Sequence, residues 1–470
     1  METQTEDLSL EAKIAECAKS GDSMALFPGD DERLVRFVHS LQPNNALGVV
    51  PAVYLIPMRG GHIDGLPENY IQLPKKEWEI SLYRMLEANP SMPIPPICIC
   101  LKQGPMRQYI RGVFERVVMR RDRQLRQTLR RTWAYYQKWA YPNTPPRVLI
   151  QTTIFSTVLQ YVSSDLSDAF TAQGCEVMLL KEAHTWHRPD RLALAVALAD
   201  FKPDLVVQVD GVRQGNYPDL PRHVPFVGWA MDRLPRILNP EFAKAQSPKE
   251  IQFAMWPAMQ QEMTELGWNG VCVMPGAANT SVYYPEPISG MSKLCDIAFV
   301  TNVPETSDPR GKARIEDRVA EARRAISTGF DVRLYGLGWD RYEDLKPYWH
   351  GQVKQGEDLR CVYANARIVL HVNLDTNLHQ RVFEAAACGS VVLVRRLESD
   401  KSDFDLIMSE QECPRYNGDD MKKVVADLAI PSVYLNHSLL GRARVLKEHT
   451  YDARARMILD SVMAKMGRKG

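Results

Sequence analysis

Short apolar runs alternate with helix-like segments twice along this 470-residue chain, and this alternation constrains the fold more than any other feature. The first series occupies residues 147–274 and the second residues 296–394. Continuous apolar strands joined by helices are typical of βαβ units, which build a parallel sheet with helices on both faces. The sequence therefore predicts an α/β fold with two Rossmann-like, doubly wound domains facing a cleft. Ligands of such sheets bind beyond the carboxyl ends of the strands.

Composition divides the chain into three regions. Residues 1–140 are interrupted by many prolines and are predicted to form a mostly helical N-terminal extension. Residues 141–146, rich in proline, read as a linker. Residues 147–285 and 286–470 are predicted to be the two Rossmann-like domains, and helices at the C-terminus close the second one.

Charge and cysteine usage limit the class of protein. The chain has 58 Lys and Arg against 57 Asp and Glu, so its net charge of +1 gives no global attraction to nucleic acid or anionic membrane. Residues 1–7 are acidic and lack the apolar core of a secretory signal, and residues 46–58 are too short to span a bilayer. We therefore expect a cytoplasmic protein without a transmembrane segment.

The cysteines and histidines form no motif that is typical of a metal site. The nine cysteines contain no CxxC pair, and Cys98 and Cys100 form a lone CxC. The ten histidines form no HxxxH or HExxH pattern. We expect buried structural cysteines, no bound metal and no cofactor.

One segment is unusually basic. Residues 107–131 hold nine arginines against Glu115 and Asp122, and their apolar residues recur with helical spacing. The simplest interpretation is a solvated connecting helix. The alternative is a helix that binds a phosphorylated acceptor, a membrane surface or nucleic acid, and nucleic acid is expected only through this helix.

The most informative segment for function is residues 373–394. Asn377 is placed to cap the helix that follows the strand 368–372, so the helix amino end and its dipole would favour an anion. Arg381 and Glu384 are three residues apart and share one face of that helix. A cation, a helix amino end and a carboxylate in one place suit a nucleoside diphosphate. The alternative is an Arg–Glu pair on an ordinary helix.

Further candidates for binding the same ligand follow two other strands. Thr301 and Asn302 come directly after the strand 296–300, and Gly336 and Gly338 follow the strand 332–335. Three basic residues lie on the next helix: Lys312, Arg314 and Arg318. One of these cations is a candidate phosphate ligand, although a solvated helix face explains them equally. The glycines permit close approach of backbone to a base or phosphate, and a plain turn would need them as well.

Catalytic candidates lie in the first series of βαβ units. Asp210 ends the strand 205–209 and Asp232 follows the strand 225–229, so either could act as a general base for an acceptor hydroxyl. His187 lies in a βα loop beside His184 and is a third candidate. For the aspartates the alternative is a loop carboxylate that caps a turn, and for His187 it is a surface histidine.

Several segments resemble a known family. Residues 381–394, RVFEAAACGSVVLV, resemble the EAxAxG segment of group 1 glycosyltransferases of the GT-B fold, and more closely that of the CgeB-like (spore maturation protein-like) branch. Residues 295–302, 332–339, 363–373 and 449–459 are similar to other parts of the donor domain in the same order. Residues 224–235 and 273–285 look like the acceptor-side strand and the interdomain crossing.

The resemblance implies a function for the protein and a separate role for each of the two domains. Residues 147–285 would be the acceptor-side domain and residues 286–470 the domain that binds a nucleotide sugar, with Glu384 on the donor ribose. A second glutamate, common eight residues earlier in the family, is Thr376 here, so the sugar and the stereochemical outcome stay open. The prediction is transfer of a sugar from a nucleotide-sugar donor to an acceptor hydroxyl, without metal. The acceptor is unknown, and an anionic or macromolecular one is compatible with the basic helix.

Two alternatives share this architecture. A nonhydrolysing sugar-nucleotide epimerase would act on the nucleotide sugar without an acceptor. A non-catalytic protein that binds a sugar nucleotide or a partner would use residues 1–140 for assembly. Products formed from a panel of nucleotide sugars would distinguish these alternatives from transfer.

Overall fold

A computed structural model describes residues 22–27, 29–40, 50–58, 62–95, 97–100, 105–285, 295–373, 376–397 and 403–467. The strands are β1 (Met24–Phe27), β2 (Val53–Leu55), β3 (Tyr70–Gln72), β4 (Ile97–Cys100), β5 (Arg147–Gln151), β6 (Glu176–Leu180), β7 (Leu205–Val209), β8 (Phe226–Ala230), β9 (Glu250–Ala254), β10 (Cys272–Val273), β11 (Cys295–Val300), β12 (Val332–Tyr335), β13 (Ala366–His371), β14 (Val391–Arg395) and β15 (Arg415–Tyr416). They form three sheets, in agreement with an α/β fold.

Helices connect nearly all of these strands. They are α1 (Glu32–Ser40), α2 (Trp78–Ala88), α3 (Pro105–Tyr136), α4 (Thr157–Ala172), α5 (Arg191–Phe201), α6 (Arg213–Asn216), α7 (Pro240–Lys244), α8 (Pro257–Glu265), α9 (Pro309–Ser327), α10 (Glu357–Asn365), α11 (Gln380–Ala387), α12 (Asp403–Ile407), α13 (Met421–Leu428), α14 (Pro431–Glu448) and α15 (Tyr451–Lys465). Among the described residues, no helix is both long enough and apolar enough to cross a membrane.

The N-terminal region contains a parallel sheet that the sequence analysis missed. Its strand order is β3-β2-β1-β4, and helices α1, α2 and α3 belong to the same region. Helices hold more of its described residues than strands do, and together with the sheet they make it an α/β unit. Each strand is only three or four residues long, which is too short for a periodic apolar signal.

The second sheet has the order β10-β9-β8-β7-β5-β6. All five residues of β7, β8 and β9 are buried, as expected for parallel strands covered on both faces. The first strand of this sheet along the chain is β5. The next strand, β6, lies on one side of it and β7 lies on the other, so the switch point is between β5 and β7. The carboxyl ends of these two strands lie side by side, with Gln151 opposite Gln208.

The third sheet has the order β12-β11-β13-β14-β15, and each pair of neighbouring strands is parallel. This is the flavodoxin-like arrangement, in which the switch point lies between the first and third strands, here β11 and β13. The apolar residues of these strands and of the helices packed on them form one buried cluster that includes Phe299, Leu334, Trp339, Leu370 and Leu393. A rigid core therefore supports the loops that leave β11 and β13.

The chain separates into two compact units. One contains the described residues through Ser167, together with Cys175–Val209 and Arg213–Phe226; the other contains Asp168–Gly174, Asp210–Val212 and residues from Val227 onward. Strands β1–β7 thus belong to the first unit and β9–β15 to the second, while the boundary falls within β8, after Phe226. The domain boundaries proposed from composition remain a prediction, and residues 286–294 lie outside the described residues.

Candidate functional site

The predicted donor-binding residues converge at the carboxyl edge of the third sheet. Strand β11 ends at Val300, and its carbonyl oxygen accepts a hydrogen bond from Nη1 of Arg381 at 3.2 Å. The carbonyl oxygen of Asn302, two residues on, accepts one from Nη1 of Arg318 at 2.8 Å. Two guanidinium groups from different helices, α11 and α9, therefore meet at the end of one strand, beside the switch point.

A third guanidinium belongs to the same cluster. Burial lowers the pKa of Arg318, and the positive charges of Arg381 and Arg314 lower it further, while Asp317 acts in the opposite direction. Asp317 is itself bound to Arg395, with Nη1 at 2.5 Å from Oδ1. Positive charge is thus concentrated at this edge, and it adds to the effect of burial in destabilising the cationic form of Arg318. A ligand with two or more negative charges would relieve that repulsion.

Two histidines that the sequence analysis did not select border the arginine cluster. His371 is the last residue of β13 and is buried, and its ring lies 5.4 Å from that of His379. Burial holds the pKa of His371 well below its usual value, and the nearby His379, Arg381 and Arg318 add to the effect. Its Nε2 atom has no hydrogen-bond partner among the described residues. A neutral imidazole there can donate or accept one hydrogen bond to a ligand.

Glu384 lies one turn after Arg381 on α11 and is almost fully buried, with 1% of its surface exposed. Its Oε1 accepts hydrogen bonds from the side-chain amides of Gln355 at 3.0 Å and Gln380 at 2.8 Å. Among the described residues no ion pair joins it to Arg381, so the ordinary Arg–Glu pair suggested by their spacing does not form. A carboxylate is a strong hydrogen-bond acceptor, and the hydroxyl groups of a diol are donors that it can bind.

The predicted cap of α11 is wrong. The helix begins at Gln380, and the residue before it is His379, which makes no capping hydrogen bond through its side chain. Asn377 is buried and its Nδ2 donates to the carbonyl oxygen of Arg395 at 2.6 Å. It ties the loop after β13 to the end of β14 instead of covering the helix amino end, because two residues separate it from the first turn.

Thr301, Asn302, Gly336 and Gly338 meet in two adjacent loops, after β11 and after β12. A Cβ atom on Gly336 (φ +125°) would lie 2.1 Å from the carbonyl oxygen of Thr301. One on Gly338 (φ +87°) would lie 2.4 Å from that of Val303. The Asn302 side chain accepts a hydrogen bond from the Leu337 amide at 2.9 Å. Gly336 and Gly338 are therefore needed where the two loops pack against each other, because a side chain would clash with the backbone there. Contact of the four residues with a ligand remains a prediction.

Asp210 and Asp232 also come together. Oδ1 of Asp210 accepts hydrogen bonds from the amide of Met231 at 2.7 Å and from that of Asp232 at 3.0 Å. Asp210 is buried and has φ +54°, a conformation that aspartate tolerates better than most residues. Burial raises its pKa to about 6; the negative charge of Asp232 adds to the increase, and the two amides oppose it. A carboxyl group with this pKa is suited to accept a proton near neutral pH.

His187 is not a surface histidine, which was the alternative that the sequence left open for this catalytic candidate. Only 3% of its surface is exposed, and its ring packs 4.8 Å from that of His184. Its Nε2 is 3.4 Å from the side-chain amide of Asn89 in the N-terminal region. Burial lowers the pKa of His187, and the neighbouring His184 and Arg188 lower it further. These contacts make it a packing residue, so a catalytic role is only an untested hypothesis.

Two glutamines mark the switch point of the second sheet. Gln151 and Gln208 are directly opposite on β5 and β7, so their side chains share one face of the sheet. The Oε1 atoms of both are shielded from solvent and have no hydrogen-bond partner among the described residues. The sequence analysis missed them because a glutamine at a strand end carries no motif. Buried acceptors without partners are suited to the hydroxyl groups of a polar ligand.

No metal centre is visible in the described part of the chain, where no group of three or more His, Cys, Asp or Glu could hold an ion. The CxC cysteines, Cys98 and Cys100, lie on β4.

Comparisons with known proteins bear on the fold and on residues 314–460. A family model described as "Glycosyl transferase-like" matches residues 314–460, which include Arg318, Arg381 and Glu384. Among solved structures, a glycosyltransferase from Rickettsia africae aligns with a TM-score of 0.51 at 9% identity, covering 69% of this chain and 99% of that one. Sucrose-phosphate synthase from Thermosynechococcus elongatus aligns with a TM-score of 0.50 at 12% identity, covering 68% and 99%. No curated protein matches the chain.

These comparisons define the class of fold. The chain has the GT-B fold, with two Rossmann-like parallel sheets, and residues 314–460 are similar to the glycosyl transferase-like family. The similarity does not extend over the N-terminal region. The closer resemblance to the CgeB-like branch remains a prediction.

Proposed function

We propose that this protein is a glycosyltransferase that moves a sugar from a nucleotide-sugar donor to an acceptor hydroxyl. The observation that carries the proposal is the cluster of Arg314, Arg318 and Arg381 beside the β11–β13 switch point, in the part of the chain that matches the glycosyl transferase-like model. A nucleoside diphosphate would bring negative charge to this cluster of cations. It also supplies ribose hydroxyls, for which the nearby buried carboxylate of Glu384 is a fitting acceptor.

The arginines contribute most to the departure of the leaving group. As the bond between the sugar C1 and the diphosphate oxygen breaks, its electron pair stays with the nucleoside diphosphate. Negative charge therefore grows on that oxygen, and Arg318 and Arg381 are positioned to stabilise it. Both guanidiniums are already oriented by backbone carbonyls at the end of β11, which reduces the reorganisation needed during the reaction.

Asp210 is our choice for the group that accepts the proton of the acceptor hydroxyl. The acceptor oxygen forms its bond to C1 as its proton passes to the carboxylate of Asp210. We prefer Asp210 to Asp232 because Asp210 is held by two amides and has a pKa of about 6, whereas Asp232 is exposed. His187 has no role in this scheme.

A product assay with a panel of nucleotide sugars tests the proposal. Transfer to an added acceptor, or slow hydrolysis to free sugar and nucleoside diphosphate, is the expected result. Formation of an epimeric nucleotide sugar would identify an epimerase, and binding without turnover would identify a non-catalytic protein; either outcome contradicts the proposal.

Replacing Glu384 is expected to weaken donor binding without unfolding the chain. Loss of hydrogen bonds between a buried carboxylate and ribose costs about 1–3 kcal/mol, so Glu384→Ala should raise the donor Kd about 5- to 150-fold. Calorimetry measures the Kd, and Glu384→Gln keeps the volume while removing the charge. Glu316→Ala, an exposed glutamate on α9, is the control and should bind the donor normally. Equal Kd values for all of these proteins would exclude the ribose role.

Activity is expected to persist in excess chelator. The diphosphate charge that a divalent cation neutralises in other enzymes is here assigned to Arg314, Arg318 and Arg381. Initial rates with and without chelator, and after addition of manganese, should agree within about twofold. A rate abolished by chelator and restored by manganese would show that the arginines do not suffice.

A further inference from the structure

The basic helix α3 uses one side for packing and leaves the other in solvent. It has 32 residues and is about 48 Å long. Its buried residues are Ile110, Val113, Phe114, Val117, Arg121, Thr128, Thr132 and Tyr136. The side chain of Arg121 is buried there and donates to the carbonyl oxygens of Leu86 and Asn89, both at 3.2 Å. These contacts hold the helix in one orientation, so the opposite face is fixed as well.

That opposite face carries a regular row of side chains, which we call the outer stripe. It consists of Met119, Arg123, Arg126, Arg130 and Trp133, whose spacing of four and three residues places them on one side of the helix. All five are exposed, Met119 to 59% and Trp133 to 52%. The stripe thus combines three cations with two large apolar side chains directed into water.

Most of the charge on and beside the stripe is not neutralised. Arginines nearer the packed side do have partners: Arg116 pairs with Glu79 and Arg120 with Glu87. On the stripe, Arg126 pairs with Asp122 in an exposed contact one turn apart. Within the described ranges, no ion pair involves Arg123, Arg130 or the exposed Arg131 beside them. A local positive field therefore exists on a chain whose net charge is only +1.

We propose that the outer stripe binds an anionic lipid surface. The charge fits the phosphates of lipid head groups, to which each arginine near the surface contributes about 1 kcal/mol. The apolar residues decide between lipid and nucleic acid. Met119 and Trp133 bracket the arginines and point the same way, so they enter the boundary between head groups and acyl chains as the arginines meet the phosphates. A phosphate backbone alone would leave Met119 in water.

The geometry of the stripe also suits a planar partner. From Met119 to Trp133 it extends about 21 Å along a single helix, so every member reaches a flat surface at the same time. Trp133 is held by a hydrogen bond from its Nε1 to the carbonyl oxygen of Asp219 at 3.3 Å, while half of its surface remains exposed. This proposal is independent of the proposed function, since α3 lies in the region that the similarity to glycosyltransferase structures does not cover.

The test is co-sedimentation of the full chain with vesicles of equal parts phosphatidylglycerol and phosphatidylcholine at low salt. The wild type should bind these vesicles, release in high salt, and not bind pure phosphatidylcholine. The triple variant Arg123→Glu, Arg130→Glu, Arg131→Glu should lose at least about 100-fold in partition coefficient. The matched control, Arg33→Glu, Lys422→Glu, Lys423→Glu, changes the net charge equally at exposed positions elsewhere and should stay within about threefold of wild type.

A second variant separates the lipid from other anionic partners. Replacing Met119 by Asn keeps every charge and should weaken vesicle binding several-fold, while leaving binding to a short DNA duplex unchanged. Thermal unfolding of each variant verifies that the chain is folded. Absence of vesicle binding by the wild type, or equal losses in the triple variant and its control, would overturn the proposal. Tight binding to the duplex without binding to vesicles would assign the stripe to nucleic acid instead.

Discussion

The double variant Arg318→Ala, Arg381→Ala is expected to lower kcat/KM for the donor about 1,000-fold. Each arginine is assigned a charge-assisted hydrogen bond to the diphosphate, worth about 1.5–3 kcal/mol, and the two act on the charge that develops as the sugar leaves. Neither substitution leaves a cavity in the core, since both side chains are only half-buried. We therefore expect a loss of activity with little loss of stability.

Comparison with single variants and a control makes this expectation specific. Arg323→Ala lies on the same helix, but its guanidinium pairs with Asp344 on the surface at 2.7 Å, so its kcat/KM should match wild type within about twofold. Arg381→Lys should keep part of the activity, because the charge remains while the fork geometry is lost. Normal turnover by the double variant would show that the diphosphate does not bind at this edge of the sheet. That result would contradict the proposed function.

The second large effect is expected for Asp210→Asn, which should lose about 100- to 10,000-fold in kcat and yet gain stability above pH 7. Asparagine keeps an oxygen for the amides of Met231 and Asp232 and also tolerates the positive φ of this position. What it removes is the proton acceptor. The wild-type rate should rise with pH through about 6 as Asp210 ionises, and the variant should lack this rise.

The stability change follows from the same pKa. In the folded protein the carboxyl group of Asp210 keeps its proton up to about pH 6, whereas the usual value is 3.8. The unfolded state therefore loses its proton first as the pH rises, and ionisation of Asp210 costs the folded state on the order of 2–3 kcal/mol above pH 6. Asp210→Asn should unfold at a higher temperature than wild type at pH 8, and at nearly the same temperature at pH 4.

Asp232→Asn is the matched control for both measurements. It removes the neighbouring carboxylate, but an exposed one, so its effect on unfolding temperature should be small at either pH. If Asp232→Asn abolishes activity and Asp210→Asn does not, the base is Asp232 and our assignment is wrong. Equal unfolding temperatures of Asp210→Asn and wild type at pH 8 would show that burial does not raise the pKa of Asp210.

Much of the fold was predictable because a parallel strand that is buried on both faces is a continuous run of apolar residues in the sequence. Strands β7, β11, β13 and β14 are runs of apolar residues, and each was located to within a residue or two. The four strands of the N-terminal sheet were missed for the opposite reason. A strand of three or four residues, such as β2, contains too few positions for its pattern to differ from that of a buried loop.

The candidate site was also predictable only in part. Local spacing sufficed to select Arg381 and Glu384, because residues three apart on a helix share a face whatever surrounds them. Spacing did not reveal that Arg381 bonds to Val300 and that Glu384 is held by Gln355, since the partners lie 81 and 29 residues away in the chain. Contacts between distant segments depend on how the sheet is ordered.

The sequence by itself determined the class of fold, the edge of the sheet where we expect a ligand, and the cations available there. Tertiary structure alone decided the electrostatics. It brought Arg314, Arg318 and Arg381 to one strand end, placed His371 beside them in a buried position, and raised the pKa of Asp210 to about 6. The physical reason is that a pKa depends on burial and on charges within a few ångströms. Both are set by which strands are neighbours, whereas apolar periodicity is a property of each segment alone.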